Sequence, residues 1–199
     1  MKDEKYLLEE IANDNGLIYV KEAEANGIDR FRLSYLAKEN KIDRLKHGVY
    51  SLKDEIVDEY VLIQSNSKRI IFSYDTALYF HDLSDRVPSH IHISVPQGYN
   101  ASRLKQRHDN LDIHYVNKDT FKLGIEKRKS PLGGEIIIYD VERTVCDIVK
   151  SREKIDPQAF IGAIKRYFSN KNINYRKLIK YAQELKIEKE IRNYLDVLL

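Results

Sequence analysis

Apolar residues return at helical spacing near the start of the chain, at Leu7, Leu8, Ile11 and Ala12, and Asn15-Gly16 then supplies a stop. The pattern predicts an amphipathic helix over residues 3–15. A short β-prone run, "LIYV", follows, and Lys21–Asn26 reads as a short helix closed by Gly27, a residue that tolerates left-handed geometry. Asp29 is placed to cap the next helix through its carboxylate. In that helix, "RFRLSYLAKEN", Leu33, Leu36, Ala37 and Asn40 share one side; Phe31, Ser34, Tyr35 and Lys38 share the other, with Arg32 at the margin. Alternation then takes over in "KIDRLKHGVYSL", with Ile42, Leu45 and Val49 as inward positions and Gly48 as the bend.

Residues 53–63 have the pattern of a helix or a linking strand. A helix is predicted over Asp75–His81, then a loop to Pro88 and a strand over His90–Val95 stopped by Pro96. "LDIHYV" and "TFKLGIEK" are further strands, and "GGEIIIYD" opens on a Gly-Gly turn and runs apolar on both faces, as a central strand does. "VERTVCDIVK" is the helix after it, and the chain is helical from Pro157 onward. The fold class is therefore α+β. A helix-turn-helix with a following hairpin occupies residues 1–55, and a mixed α/β domain with a helical C-terminal tail occupies 56–199.

Charge sharpens this division. The first helix carries Asp3, Glu4, Glu9, Glu10 and Asp14, whereas Arg30, Arg32, Lys38, Lys41, Arg44 and Lys46 crowd residues 30–52 against only Glu39 and Asp43. Two helices joined by a glycine turn, the second with a basic outer face, match the arrangement that sets a helix in the DNA major groove. The hairpin becomes its wing. Arg32, Ser34, Tyr35 and Lys38 are the candidate groove contacts, Lys41, Arg44, Lys46 and His47 the candidate phosphate contacts, and Arg30 belongs to the same DNA-binding set. Lys165, Arg166, Lys171, Arg176, Lys177 and Lys180 form a candidate second basic surface, beside the simpler reading of solvated helix faces.

The run "YVKEAEANGIDRFRLSYLAKENKIDRLKHGVYSL" resembles the winged-helix domain of AbiEi-type antitoxins of bacterial abortive-infection, type IV toxin-antitoxin systems. Similarity continues in Ser73, Thr76, Ala77, His81, Leu83, Ser84, Asp85, Val95 and Pro96, and in Asp140, Glu142, Arg143, Thr144 and Asp147 of "DVERTVCD". It spans about residue 18 to 168. The resemblance implies inverted-repeat operators occupied by more than one copy, repression of the protein's own operon, and a nucleotidyltransferase-like toxin countered without a stable complex. A stand-alone winged-helix regulator with a ligand- or partner-sensing C-terminal domain is the alternative reading, and a metal-dependent nuclease stands behind it.

Candidate chemistry changes little. Asp140 after a strand is an ordinary helix cap, and Arg143 stands one turn from Asp147, the geometry of a helix ion pair, so these residues read as structural rather than catalytic. His90 and His92 share a strand face that His81 and His114 can approach, but no cysteine partner or His-Glu-x-x-His pattern supports a metal site. Glu184-Leu185-Lys186 has the residue types of a metal-dependent nuclease, on a predicted helix rather than on strands. No enzyme, metal or cofactor is expected. The single cysteine, Cys146, excludes an intrachain disulfide, and the net charge of +3 is too small to identify a nucleic-acid partner by itself. No apolar run approaches the roughly 20 residues of a membrane helix. The acidic start "MKDEKYLLEE" lacks the order of a signal peptide, so the cytoplasm is the expected compartment.

Overall fold

Leu8 and Ile11 of α1 (Glu4–Ile11), Ile18 of β1 (Leu17–Tyr19) and Ala23 of α2 (Val20–Ala25) pack with Leu33 and Leu36 of α3 (Arg30–Lys38) and with Ile42 and Tyr50 of the wing. Burying each large aliphatic side chain contributes about 1.5–3 kcal/mol. The computed structural model describes residues 4–13 and 16–198; positions 3, 14 and 15 of the predicted first helix lie outside the described residues. Asp29 caps α3 as its position predicts, accepting from the Arg32 amide at 2.8 Å, and Gly27 before it has φ of +84°. Asn40, expected on the packed side, is instead exposed at φ +58°, because the helix has ended and the chain is turning into the wing.

The wing is β2 (Ile42–Lys46) paired antiparallel with β3 (Val49–Leu52), and β1 completes the sheet in the order β1-β3-β2. A bulge between Arg44 and Lys46, with Gly48 at φ +77°, closes the hairpin. Ile42 and Val49 point inward as expected, but Leu45 is only half-buried, and buried Tyr50 is the aromatic that fills the core. Residues 53–63 resolve into a turn and the helix α4 (Glu59–Gln64), capped by buried Asp58, whose carboxylate also accepts from Ser130. The chain divides into two units, Met1–Ile63 with Lys129–Glu135, and Gln64–Arg128 with Ile136–Leu199, so 56–63 and a distant hairpin turn group with the winged helix rather than with the residues after 55.

The second unit is built on a five-stranded mixed sheet, order β6-β5-β4-β8-β7, from β4 (Ile71–Phe72), β5 (Ile91–Pro96), β6 (Leu111–Val116), β7 (Ile125–Lys129) and β8 (Glu135–Tyr139). β8 is an interior strand, parallel to β4 with Phe72 opposite Ile138. The helix α5 (Tyr74–Phe80) follows β4, and the short α6 (Ser102–Lys105) precedes β6. Cys146, Ile148, Phe160, Leu178 and Ile191 join α7 (Val141–Lys150), α8 (Pro157–Phe168), α9 (Tyr175–Glu184) and α10 (Glu188–Leu198) into one core.

One predicted strand is corrected. Thr120–Gly124 lies in turns, and the strand begins only at Ile125. The carbonyls of Thr120 and Leu123 are drawn to the buried Arg143, which donates to them at 2.7 and 2.8 Å, and so take no part in a ladder. Gly124 bends there at φ +76°; a Cβ at that position would stand 2.6 Å from Arg143 Cβ.

Asp140 accepts from the Arg143 amide at 2.8 Å and from the Tyr181 hydroxyl at 3.0 Å. Lys177 Nζ bridges Asp140 and Glu142 at 3.0 and 3.1 Å. Burial works against the Lys177 ammonium, yet its hydrogen bonds with the two carboxylates outweigh this and raise its pKa.

Two stability effects follow. Gly124→Ala is expected to lose about 2–4 kcal/mol through backbone strain and displacement of Arg143. At roughly 2–4 °C per kcal/mol the thermal midpoint drops measurably by circular dichroism, and an unchanged midpoint would contradict this packing. Lys177→Met strands two buried carboxylates. Its cost is about 1–3 kcal/mol, below that of a fully buried pair, because 35% of the lysine side chain remains exposed.

Candidate nucleic-acid interface

α3 presents Arg30, Arg32, Tyr35 and Lys38 to solvent, together with Phe31, which is 73% exposed. Aromatic and basic side chains are interleaved there: the Arg30 guanidinium lies 5.2 Å from the Phe31 ring centre and that of Arg32 5.2 Å from Tyr35. Such contacts preorganise cations whose charge still faces outward. Phe31 was legible as an outer-face residue, and its degree of exposure makes it the most prominent apolar group on that helix.

A groove of about 530 Å³ runs between this helix and the wing, lined by Arg30, Phe31, Ser34, Arg44, His47 and Tyr50 among others. Arg44 is exposed, with its guanidinium 5.9 Å from the Tyr50 ring centre, and His47 stands exposed at the wing tip. The tip is fastened to the start of α2, since the Val20 amide donates to the Gly48 carbonyl at 3.0 Å. Lys41 is exposed where the wing begins.

Two expected contacts are placed otherwise. Ser34 is half-buried with its hydroxyl 3.3 Å from that of Tyr50, so it belongs to the floor of the groove rather than to the outer face. Lys46 donates to the Leu62 carbonyl at 3.2 Å, within the same unit; its ammonium ties the wing to α4. Both arrangements depend on partners far along the chain, which local pattern does not report.

The tail cations are likewise divided. Lys165, Lys171, Arg176 and Lys180 are exposed, but Arg166 pairs with Asp85, and Lys177 is held by Asp140 and Glu142. Residues of the two motifs are engaged inside the second unit. Ser94 donates to Ser73 at 2.8 Å, Thr144 Oγ1 donates to the Asp140 carbonyl at 2.8 Å, and Arg143 Nε donates to Asp147 at 2.9 Å. His81 Nε2 donates to the Tyr139 carbonyl at 2.7 Å and Nδ1 accepts from Arg128 at 3.2 Å, an arrangement that requires the neutral ring; burial lowers its pKa accordingly.

The remaining histidines separate from His81. His92 Nδ1 lies 3.1 Å from His114 Nε2 across the parallel β5 and β6, while His92 Nε2 faces Asp75 and Asp112, each at 3.5 Å. Tyr74, at φ +48°, stacks on His114 with ring centres 3.8 Å apart. Burial, aided by His92, pushes His114 down to about 4, so this ring is neutral near pH 7. His90 is exposed and reaches Asp112 at 3.4 Å. Among the described residues no three His, Cys, Asp or Glu side chains are arranged to hold a metal ion, and no helix is long and apolar enough to cross a membrane. Glu184 ends α9 and Lys186 has φ of +60°, so that sequence triplet is a helix terminus.

Among solved structures the chain is similar in fold to the RV2827C protein from Mycobacterium tuberculosis, with a TM-score of 0.68 and 10% sequence identity over 96% of this chain and 75% of that one. No curated protein matches the chain. The family described as "Transcriptional regulator, AbiEi antitoxin" matches residues 5–53, which take in nearly all of α1 and the whole of α2, α3 and the wing. Over that module the chain is similar to the AbiEi antitoxin family of transcriptional regulators.

Proposed function

We propose that the protein is the antitoxin of a type IV, abortive-infection toxin-antitoxin system and represses its own operon by binding double-stranded operator DNA. The observation that carries the DNA reading is the joint exposure of Arg30, Arg32, Phe31, Tyr35 and Lys38 on α3 and of Arg44 and His47 on the wing beside it. In this reading α3 enters the major groove, Arg30 and Arg32 approach base edges from its first turn, and Lys41, Arg44 and His47 neutralise phosphates on either side. Operators are inverted repeats occupied by more than one copy, with self-association on DNA. The second unit counters a nucleotidyltransferase-like toxin without a stable complex, and without catalysis of its own. The work is done in the cytoplasm.

Phe31 adds a specific element to this interface. A phenyl ring has no donor or acceptor with which to read a base edge, whereas the C5 methyl of thymine is the apolar feature of the major groove. Phe31 therefore favours thymine at the position it meets.

Three measurements test this reading. On a DNA fragment from upstream of its own gene, Arg44→Ala should weaken binding and reduce the slope of log affinity against log salt by about 1, as expected for one lost phosphate contact. The same change leaves the thermal midpoint unaltered, whereas Lys46→Met costs about 1 kcal/mol of stability through the lost bond to Leu62. Equal affinity and slope for Arg44→Ala would remove the wing from the interface.

In cells, Arg32→Ala combined with Arg44→Ala should relieve operon repression while protection from the toxin persists; simultaneous loss of protection by the folded variant would contradict separate activities. Replacing operator thymines one at a time by deoxyuridine should identify a position where the wild type loses affinity about three- to tenfold, the effect of one methyl contact, and Phe31→Ala loses none. If every replacement is silent for the wild type, Phe31 has no methyl partner.

A further inference from the structure

In the second unit, the segment between α4 and β4 and the segment from β5 through α6 enclose a cleft of about 410 Å³. Arg69, Arg103 and Arg107 line it with Asn66, Tyr99 and Asn100, and no carboxylate does. All three arginines are exposed to solvent. Several other arginines of this unit are met by acids: Arg143 by Asp147, Arg166 by Asp85, Arg86 by Asp156 and Arg192 by Glu188.

Among the described residues the three cleft arginines have no ion-pair partner. Arg107 Nη1 reaches only the amide oxygen of Asn66, at 3.3 Å, and the Arg69 guanidinium lies 4.9 Å from the Tyr99 ring centre. Arg103 lies on α6 and Arg107 two residues past its end, and both open on the same cleft. Cations gathered without an acid suit an anion. The chemistry of the donors narrows its class, because the planar guanidinium fork matches the oxygens of a phosphate group bidentately. Cleft size agrees, falling within the roughly 300–1,000 Å³ of small-ligand sites.

We propose that this cleft is a binding site for a chain of phosphates, in which Arg103 and Arg107 clamp successive phosphoryl oxygens and Arg69, laid against Tyr99, completes the charge. That chemistry is shared by a free nucleoside polyphosphate and by a stretch of nucleic-acid backbone. The site lies wholly in the second unit and shares no residue with α3 or the wing, so its residues are distinct from those of the operator interface.

Isothermal titration of the full chain with inorganic tripolyphosphate, and separately with a single-stranded oligonucleotide, tests the site and distinguishes its sources. Arg103→Gln combined with Arg107→Gln should keep the parental thermal midpoint, since both side chains are exposed and neither holds an ion pair. Tripolyphosphate affinity is expected to fall at least about tenfold in this double variant, the effect of losing charge-assisted hydrogen bonds, and to be unchanged in Arg44→Ala. A tenfold loss for tripolyphosphate identifies a site for free polyphosphate; the same loss confined to the oligonucleotide identifies a backbone site. Equal binding of both probes by the parent and the double variant, or no binding of either by the parent, overturns the proposal. Unchanged tripolyphosphate binding by Arg44→Ala separates this result from the operator reading.

Discussion

The second unit depends on a guanidinium with no access to water. Arg143 is fully buried, and a charge in that position is tolerated only when paired and fully hydrogen-bonded. Asp147, one helical turn onward, supplies the opposite charge; the carbonyls of Thr120 and Leu123 take the remaining donors on one side, and the Tyr139 ring lies 4.1 Å from the guanidinium carbon. Burial lowers the Arg143 pKa, but Asp147 and Tyr139 more than offset this and hold it charged. One side chain thereby fixes the end of β8, the start of α7 and the turn before β7. It also dictates glycine at position 124, where any larger residue would meet it.

The same arrangement explains the acidic residues around it. Asp140 is consumed as a helix cap and as an acceptor for Tyr181 and Lys177, and Glu142 shares the lysine. Burial raises the Asp147 pKa while Arg143 opposes that shift. Carboxylates so engaged have the residue types of a catalytic group and the geometry of a structural one. Each acid has a named partner in its own unit, although for Asp147 only Oδ1 is engaged and the buried Oδ2 accepts no hydrogen bond.

What the sequence made legible follows from the range of the interactions involved. Helical periodicity located α3 and α7–α10, and the caps Asp29 and Asp140 act through amides three residues onward, well inside any local window. β4 escaped notice because two residues carry no period, though it is the middle strand of the sheet. "TFKLGIEK" has the pattern of a strand throughout, because nothing local reveals that Arg143 claims the carbonyls of Thr120 and Leu123. The wing was legible in its pattern, but the burial of Tyr50 and the half-burial of Ser34 arise from packing between β3 and α3.

Cations show the same limit from another side, and here the distinction bears on function. A list of lysines and arginines ranks Lys46 with Arg44, and Arg166 and Lys177 with Lys180. Structure separates them by partner: Lys46 is engaged by the Leu62 carbonyl, Arg166 by Asp85, and Lys177 by two acids. A basic residue paired with an acid inside its own unit has less charge to offer a phosphate, because releasing it would strand that acid, whereas the carbonyl that holds Lys46 fixes its position without neutralising it. The informative quantity is therefore not local density of positive charge but positive charge left without an acid. By that measure Arg44 on the wing and the Arg69, Arg103 and Arg107 cleft stand out, although Arg69 lies more than thirty positions before the run "RLKQR" that carries Arg103 and Arg107. Their convergence is a product of the fold, made by loops on either side of the β4 and β5 pair, and only folding turns separate solvated side chains into one site.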